Sequence, residues 1–333
     1  MSQAFYEEHL SEYEIMYASI SEEGDIQICA KEMIDDQSGR PPEAIEDYPY
    51  KIITFSEIVP TDDHLHASTW TGIKYLYSAF LPDEGRSVVL TDVFRVSERD
   101  TPIMDIGKPR SEWDDYTRMG AGLKVIDEQV FAAGTLRKIF RRDDVGEWTD
   151  LTDPDKHPNL FKRLKYLKKR DGNYGNSYAG FIDFDGFSDV DIYAGGRRDL
   201  WRFDGKRWHE IMLPEYPSIN AVLCAADGYV YVTGRGGPVL RGREERWEVL
   251  DAPALDYKSL AWFDGKVWLG SDYELGVMED GKYQRYEFPE DGPAQFSFFG
   301  VDANDDLLMS YGTEQVMLFD GKEWLEMAGP ALY

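Results

Sequence analysis

The sequence predicts an all-β fold made of repeated four-stranded sheets, and three observations carry that prediction. The first is a recurring segment. "LWRFDGKRWHEI" at 200–211 returns as "VLRGREERWEVL" at 239–250 and as "VMLFDGKEWLEM" at 316–327, with Trp208, Trp247, Tyr286 and Trp324 in phase at spacings of 39, 39 and 38 residues. The second is turn chemistry. Asp-Gly pairs at Asp204-Gly205, Asp264-Gly265, Asp280-Gly281 and Asp320-Gly321 fall between aromatic and β-branched runs, where short hairpins need positive φ. The third is the lack of any helix-period pattern between 179 and 327.

A period near 40 residues matches a four-stranded propeller blade, whose repeats run to roughly 40–45 residues. Three copies read out in full. The first has strands "INAVLC", "YVYVTG", "GPVLRG" and "RWEVL"; the second "KSLAWF", "KVWLGS", "ELGVME" and "YQRYEF"; the third "FSFFGVD", "LLMSYG", "EQVMLF" and "EWLEM". Upstream, "GFIDFDGFSDVDIYAGGRRDLWRFDGKRWHEI" is a fourth copy and "GLKVIDEQVFAAGTLRKIFRRDDVGEWTDL", with Trp148 in phase, a fifth. "GIKYLYSAF", "RSVVLT", "VFRVSE" and "SEWDDY" form a degenerate sixth ending at Trp113, so six units fill 72–327. Residues 1–71, with "YEIMYASI", "DIQICAKE" and "YKIITFSEIV", hold enough strand for one more. The expectation is a single β-propeller domain over 1–333 with seven blades, six or eight being the alternatives, and either terminus able to close the circle. The recurring tryptophans are read as packing between blades rather than as ligand contacts.

These units resemble β-propeller repeats in general. The glycine-bearing "VYVTGRGGPVLRGREERWEVL" is similar to blades of kelch-type, photosystem-assembly-factor-like and two-component-sensor propellers. The resemblance implies the fold and carries no active site with it.

Composition narrows the partners. The chain has 63 acidic and 36 basic residues, a net charge of −27, which attracts cationic partners and opposes nucleic acid and anionic membranes. Thirteen of the acidic side chains, against two basic ones, lie in the first 50 residues. Cys29 and Cys224 sit in apolar strand-like runs and read as buried thiols, a disulfide being the alternative. The start "MSQAFYEEHLSEYE" has neither a basic region nor an apolar core, and no run reaches membrane-spanning length, so a cytoplasmic monomer is expected.

Where a propeller carries function, its variable loops hold it. The second-to-third-strand loops are "AGTLR", "GGRRD", "TGRGG", "GSDYE" and "SYGTE"; with the blade-to-blade loops they emerge at one end of the sheets, the Asp-Gly turns at the other. Arg197, Arg198, Arg235, Asp272, Tyr273, Glu274 and Tyr311, joined by Tyr216 and Tyr257, are the candidate partner-binding set, since Tyr and Arg supply anchors at protein interfaces.

An insertion at 153–178 places Leu160, Leu164 and Leu167 at helical spacing. It packs seven basic and no acidic residues between Lys156 and Arg170, and reads as a short helix that pairs with the chain's own acidic surface or with a partner. "DDHLH" at 62–66 sets His64 and His66 beside two carboxylates but lacks a third ligand cluster, and "DANDD" at 302–306 reads as a hairpin turn. No nucleophile, phosphate-loop or zinc-protease motif is present, so no catalytic residue, metal or cofactor is assigned. The expected function is protein binding without catalysis. Acidity and lack of motifs look like those of immunity proteins that neutralise a cognate toxin. The alternative is an enzyme acting on a sugar or small molecule at the central channel.

Overall fold

The computed structural model describes residues 1–33, 49–55, 65–71, 73, 76–82, 86–91, 94–98, 101–106, 120–153, 155–162, 180–215, 217–290 and 300–330. The chain is a seven-bladed β-propeller, each blade an antiparallel sheet of four consecutive strands. Blade 1 is β1 (Tyr13–Ile20), β2 (Ile26–Glu32), β3 (Tyr50–Phe55) and β4 (Leu65–Trp70), preceded by the short helix α1 (Gln3–His9). Blade 2 is β5 (Leu76–Leu81), β6 (Arg86–Thr91), β7 (Arg95–Glu98) and β8 (Met104–Asp105). Blade 3 is β9 (Gly120–Ile126), β10 (Gln129–Gly134), β11 (Lys138–Asp144) and β12 (Glu147–Asp150). Blade 4 is β13 (Phe181–Ser188), β14 (Asp191–Gly196), β15 (Leu200–Phe203) and β16 (Trp208–Ile211). Blade 5 is β17 (Ile219–Cys224), β18 (Val230–Gly234), β19 (Val239–Arg243) and β20 (Arg246–Leu250). Blade 6 is β21 (Ser259–Phe263), β22 (Lys266–Gly270), β23 (Leu275–Glu279) and β24 (Lys282–Arg285). Blade 7 is β25 (Gly300–Ala303), β26 (Leu308–Tyr311), β27 (Val316–Phe319) and β28 (Trp324–Ala328).

The blade count therefore settles at seven. One boundary moves: the outer strand of blade 2 is the two-residue β8, while Trp113, where the degenerate copy was expected to end, lies outside the described residues. The four Asp-Gly turns split into two kinds. Asp264-Gly265 and Asp280-Gly281 have positive φ at both residues and close two-residue hairpins. At 204 and 320 only the glycine is left-handed, and the Asp Oδ1 instead accepts from the backbone N–H groups two and three residues on, closing four-residue loops.

The chain forms two compact units, residues 1–78 with 259–333, and residues 79–258. In the first, blade 1 packs on blade 7 through β1 against β25 and β26. The seam is apolar, with Tyr6, Leu10, Ile15, Ile28, Met309, Tyr311 and Leu318 in one buried cluster, and Tyr6 Oη donates to the Glu314 carbonyl at 3.2 Å. Among the described residues each of these blades keeps its own four strands, and side-chain packing together with the bond from Ile15 N to the Thr313 carbonyl at 2.7 Å joins them. In the second unit the aromatic expectation holds for Trp247 of blade 5, which meets Tyr193 of blade 4 edge-on at 6.5 Å. The Trp208 ring instead packs within its own blade, on Phe181 and Phe203, and reaches the end of blade 3 through Nε1, which donates to the Leu151 carbonyl at 3.0 Å.

First strands of consecutive blades lie side by side: β9 by β13 and β13 by β17 in the second unit, β21 by β25 and β25 by β1 in the first. Side chains bridge them. The Val222 and Cys224 N–H groups each donate at 2.7 Å to Asp183 and Asp185 of the preceding blade. Val301 N donates to Ser259 Oγ at 2.8 Å, and Ile20 N to Asp302 Oδ2 at 3.1 Å. Both cysteines are free thiols. Cys29 is buried, with its thiol pushed up to about 12 by burial, and Cys224 is half-buried.

Candidate functional site

The two units carry the loop-end residues separately. In the second unit, Arg197 and Arg198 stand exposed between β14 and β15, and Arg235 between β18 and β19. The chain leaves β18 through Gly234, where any side chain would run into Pro217, and turns at Gly236 with φ +53. The Gly236 N–H donates to Asp256 Oδ1, whose other oxygen lies 3.8 Å from Arg235 Nε, so the blade-to-blade loop fixes the arginine loop. Beside it lies a shallow groove of about 490 Å³, floored by Gly236, Gly237, Pro238, Val249 and Leu250 and edged by the carboxylates Glu215 and Asp251.

In the first unit, Tyr273 is 80% exposed at the tip of the loop between β22 and β23. Ser271 Oγ accepts from the N–H groups of Tyr273 and Glu274 and holds the tip. Asp272 is exposed. Glu274 turns inward, accepting from Tyr283 Oη and lying 3.8 Å from Arg285 Nε.

Two of the sequence-derived residues are buried. Tyr257 is fully enclosed, and its carbonyl accepts from Asn220 Nδ2 and Thr233 Oγ1, both at 3.2 Å. Tyr311 lies over Gly300, where a Cβ would collide with its ring, and burial, with Asp302 nearby, raises its hydroxyl above the usual range. Neither side chain is offered to a partner; Tyr311 is packed because Gly300 opposite it leaves room for a ring that the linear sequence places in a loop. Tyr216 lies outside the described residues.

The first strands carry more ionisable groups than the sequence reading credited. Asp183 and Asp185 of "IDFD" alternate onto one face of β13, and Lys124 Nζ bridges Asp183, 3.2 Å away, and the Val222 carbonyl at 3.1 Å. Burial raises the Asp185 carboxyl despite nearby Lys124 and the N–H of Cys224. Each of these carboxylates accepts a backbone N–H of the next blade's first strand, a donor that an unpaired first strand would otherwise leave unmet. The strict period-2 spacing was the signal available in the sequence.

Of the insertion, residues 158–162 form a helical turn with Leu160 fully buried against the Phe181 and Trp208 cluster; Leu164 and Leu167 lie outside the described residues. His157 is buried edge-on to Phe203, and burial lowers its pKa. His66 is exposed on β4, while Asp62, Asp63 and His64 lie outside the described residues. Among the described residues no group of three or more His, Cys, Asp or Glu is placed to hold a metal ion. Of the 302–306 segment, Asp302 and Ala303 end β25 and 304–306 form the turn, where Asn304 Oδ1 accepts from Asp306 N and Leu307 N.

On the outer edge of blade 4, exposed His209 Nε2 lies 2.7 Å from Asp204 Oδ2. Burial slightly opposes ionisation of Asp204, but His209 and the Arg207 and Lys206 N–H groups outweigh it and lower its pKa to about 2. A carboxylate depressed below its unfolded value near 3.9 contributes stability that is complete above about pH 4 and lost as pH falls toward about 2. Asp204→Asn is therefore expected to flatten the acid limb of the stability profile over that window. Solvent screening keeps the effect small, and acid titrations of the two proteins by circular dichroism check it; superimposable limbs would remove Asp204 from the acid response.

No protein-family model matches the chain. Among curated proteins, the Immune protein Tsi7 of Pseudomonas aeruginosa is 31% identical over 206 residues, 61% of this chain and 62% of that relative, so the match spans less than two thirds of the relative's length. Among solved structures, PorZ, described as an essential bacterial surface component of the type-IX secretion system of Porphyromonas gingivalis, superposes with a TM-score of 0.59 at 11% identity, covering 98% of this chain and 39% of PorZ. YCF48 bound to D1 peptide superposes with a TM-score of 0.58 at 11% identity, covering 93% of this chain and 92% of YCF48. At such identities the likeness to the two structures is one of fold.

Proposed function

We propose that this chain is a non-catalytic protein-binding β-propeller of immunity type: a cytoplasmic monomer that binds and neutralises one cognate toxin with a basic surface. The observation that carries the reading is the 31% identity over 206 residues to the Immune protein Tsi7. Two physical features support it. A net charge of −27 draws a cationic protein in and speeds the encounter. First-strand carboxylates, Asp183 and Asp185 in one unit and Asp302 in the other, each accept a backbone N–H from a neighbouring blade, a structural use.

The test is genetic and then biochemical. A host strain lacking this gene is expected to lose viability in contact with its isogenic parent and to regain it with the gene on a plasmid. The purified chain is expected to form a one-to-one complex with the toxin that the parent delivers. A deletion strain that grows beside its parent at no cost would sink the immunity reading and return the channel enzyme to first place.

A further inference from the structure

Val145, Val190 and Tyr229 are 43%, 51% and 44% exposed, and each sits in a hairpin turn of a different blade. Val145 lies between β11 and β12, Val190 between β13 and β14, and Tyr229 between β17 and β18. All three turns emerge at the end of their sheets opposite Arg197, Arg198 and Arg235, because successive antiparallel connections alternate ends. Exposed apolar side chains that share one end of a unit offer a contact surface.

Interblade bonds hold these turns together. Arg141 Nη1 of blade 3 reaches Asp189 of blade 4 at 3.3 Å. Asp191 of blade 4 accepts from Arg202 at 2.8 Å and from Arg243 of blade 5, while Arg202 Nη1 lies 3.1 Å from Glu244 and Tyr193 Oη accepts from Glu244 N at 3.2 Å. Arg241 pairs with Glu248 and stacks 4.9 Å from the Tyr229 ring. Arg141, Arg202, Arg241 and Arg243 are thus spent on the frame. Around the apolar side chains stand the exposed carboxylates Asp127, Glu128, Asp144, Glu147, Asp227 and Glu245, outnumbering the exposed cations Lys206, Arg207 and Arg246.

We infer that the turn end of blades 3 to 5 is the docking surface, and that its occupant is a cationic protein segment carrying apolar side chains among its lysines and arginines. Charge complementarity selects this occupant: the loop end of the same unit mixes exposed Arg197, Arg198 and Arg235 with the carboxylates Glu215 and Asp251, whereas the turn end meets positive charge with an excess of carboxylates and offers Val145, Val190 and Tyr229 as anchors. The inference rests on the protein-binding reading proposed above and names the surface that reading leaves open.

The probe is a short synthetic peptide of lysine and arginine interspersed with leucine, beside a charge-matched peptide with serine for leucine, titrated against the full chain at low salt. Wild type is expected to bind the leucine peptide about tenfold more tightly than the serine peptide. The combined variant Val145→Asn, Val190→Asn, Tyr229→Ser is expected to erase that difference, and the combined variant Arg197→Ala, Arg198→Ala, Arg235→Ala to keep it. Hydrogen exchange on unmodified protein supplies a readout independent of any substitution, with protection by the leucine peptide expected at 143–147, 187–191 and 226–230. No measurable binding by wild type, equal binding of the two peptides, an undiminished preference in the turn-end variant, or protection confined to the loop end would each overturn the assignment. Those outcomes are separate from the deletion strain, whose unimpaired growth would remove the immunity reading without touching the peptide data.

Discussion

Arg137→Met is expected to destabilise the protein by about 3–5 kcal/mol, the cost of removing one partner from a buried ion pair. Arg137 follows β10 in a short 3-10 turn, Thr135–Arg137, with φ +56, and its guanidinium is almost wholly enclosed. Nη2 donates to Asp199, itself buried in the loop between β14 and β15, so the pair locks blade 3 to blade 4 at their loop ends. Among the described residues Nε and Nη1 have no hydrogen-bond acceptor. The ring faces of Trp201 and Phe181, 5.1 and 5.7 Å from the guanidinium carbon, take up part of that deficit. Asp199 faces the guanidinium as its carboxylate partner. Removing the arginine strands a carboxylate in the interior. The double variant Arg137→Met, Asp199→Asn removes both charges and is expected to recover at least half of the loss, as buried pairs do when both members become neutral. Chemical denaturation of the two variants beside wild type checks this. A single substitution costing less than about 1 kcal/mol would mean that water reaches the pair.

That pair marks where the sequence stops being legible. Arg137, Arg197 and Arg235 end up in comparable loops of successive blades, and nothing in "AGTLR", "GGRRD" and "TGRGG" says that the first is buried and the other two are exposed. The difference arises from neighbours far along the chain, Asp199 and Trp201. Tyrosines divide in the same way: Tyr273 stands out while Tyr257 and Tyr311 are enclosed, Tyr311 because Gly300 opposite it has no side chain. The fold was readable because a period near 40 residues is a local property repeated many times, and errors in one copy are corrected by the others. It failed at blade 2, where the outer strand is Met104–Asp105, ahead of the "SEWDDY" read as the fourth strand, and carries no tryptophan. Asp183 and Asp185 were readable from alternation alone, once a strand was granted. Val145, Val190 and Tyr229 were visible as turn residues, but their common end becomes significant only with the charges around them.

Trp208→Ala is expected to cost about 3–5 kcal/mol, and Trp247→Ala much less, although the two tryptophans occupy the same position in the repeat. Trp208 is 1% exposed, with its ring 5.5 Å from Phe181 and 5.3 Å from Phe203. Its Nε1 donates to the Leu151 carbonyl at 3.0 Å, and its own carbonyl accepts from Asn159 Nδ2 at 2.8 Å. It therefore clamps the start of the insertion, including fully buried Leu160, onto blade 4. Truncation opens a cavity that the surrounding strands, fixed by their ladders, close only in part, and it leaves the Leu151 carbonyl without its donor. Trp247 is half-buried and donates within its own turn to the Glu244 carbonyl at 2.9 Å, so its loss opens a space that water enters. Trp208→Phe separates the two terms, since it keeps most of the ring and loses the donor; about 1–3 kcal/mol is expected for the unmet carbonyl. Denaturation midpoints rank the three variants, and hydrogen exchange is expected to show residues 158–162 losing protection in Trp208→Ala alone. Equal costs for Trp208→Ala and Trp247→Ala would show that the recurring residue acts through the blade hairpin it ends rather than through the neighbour it packs on.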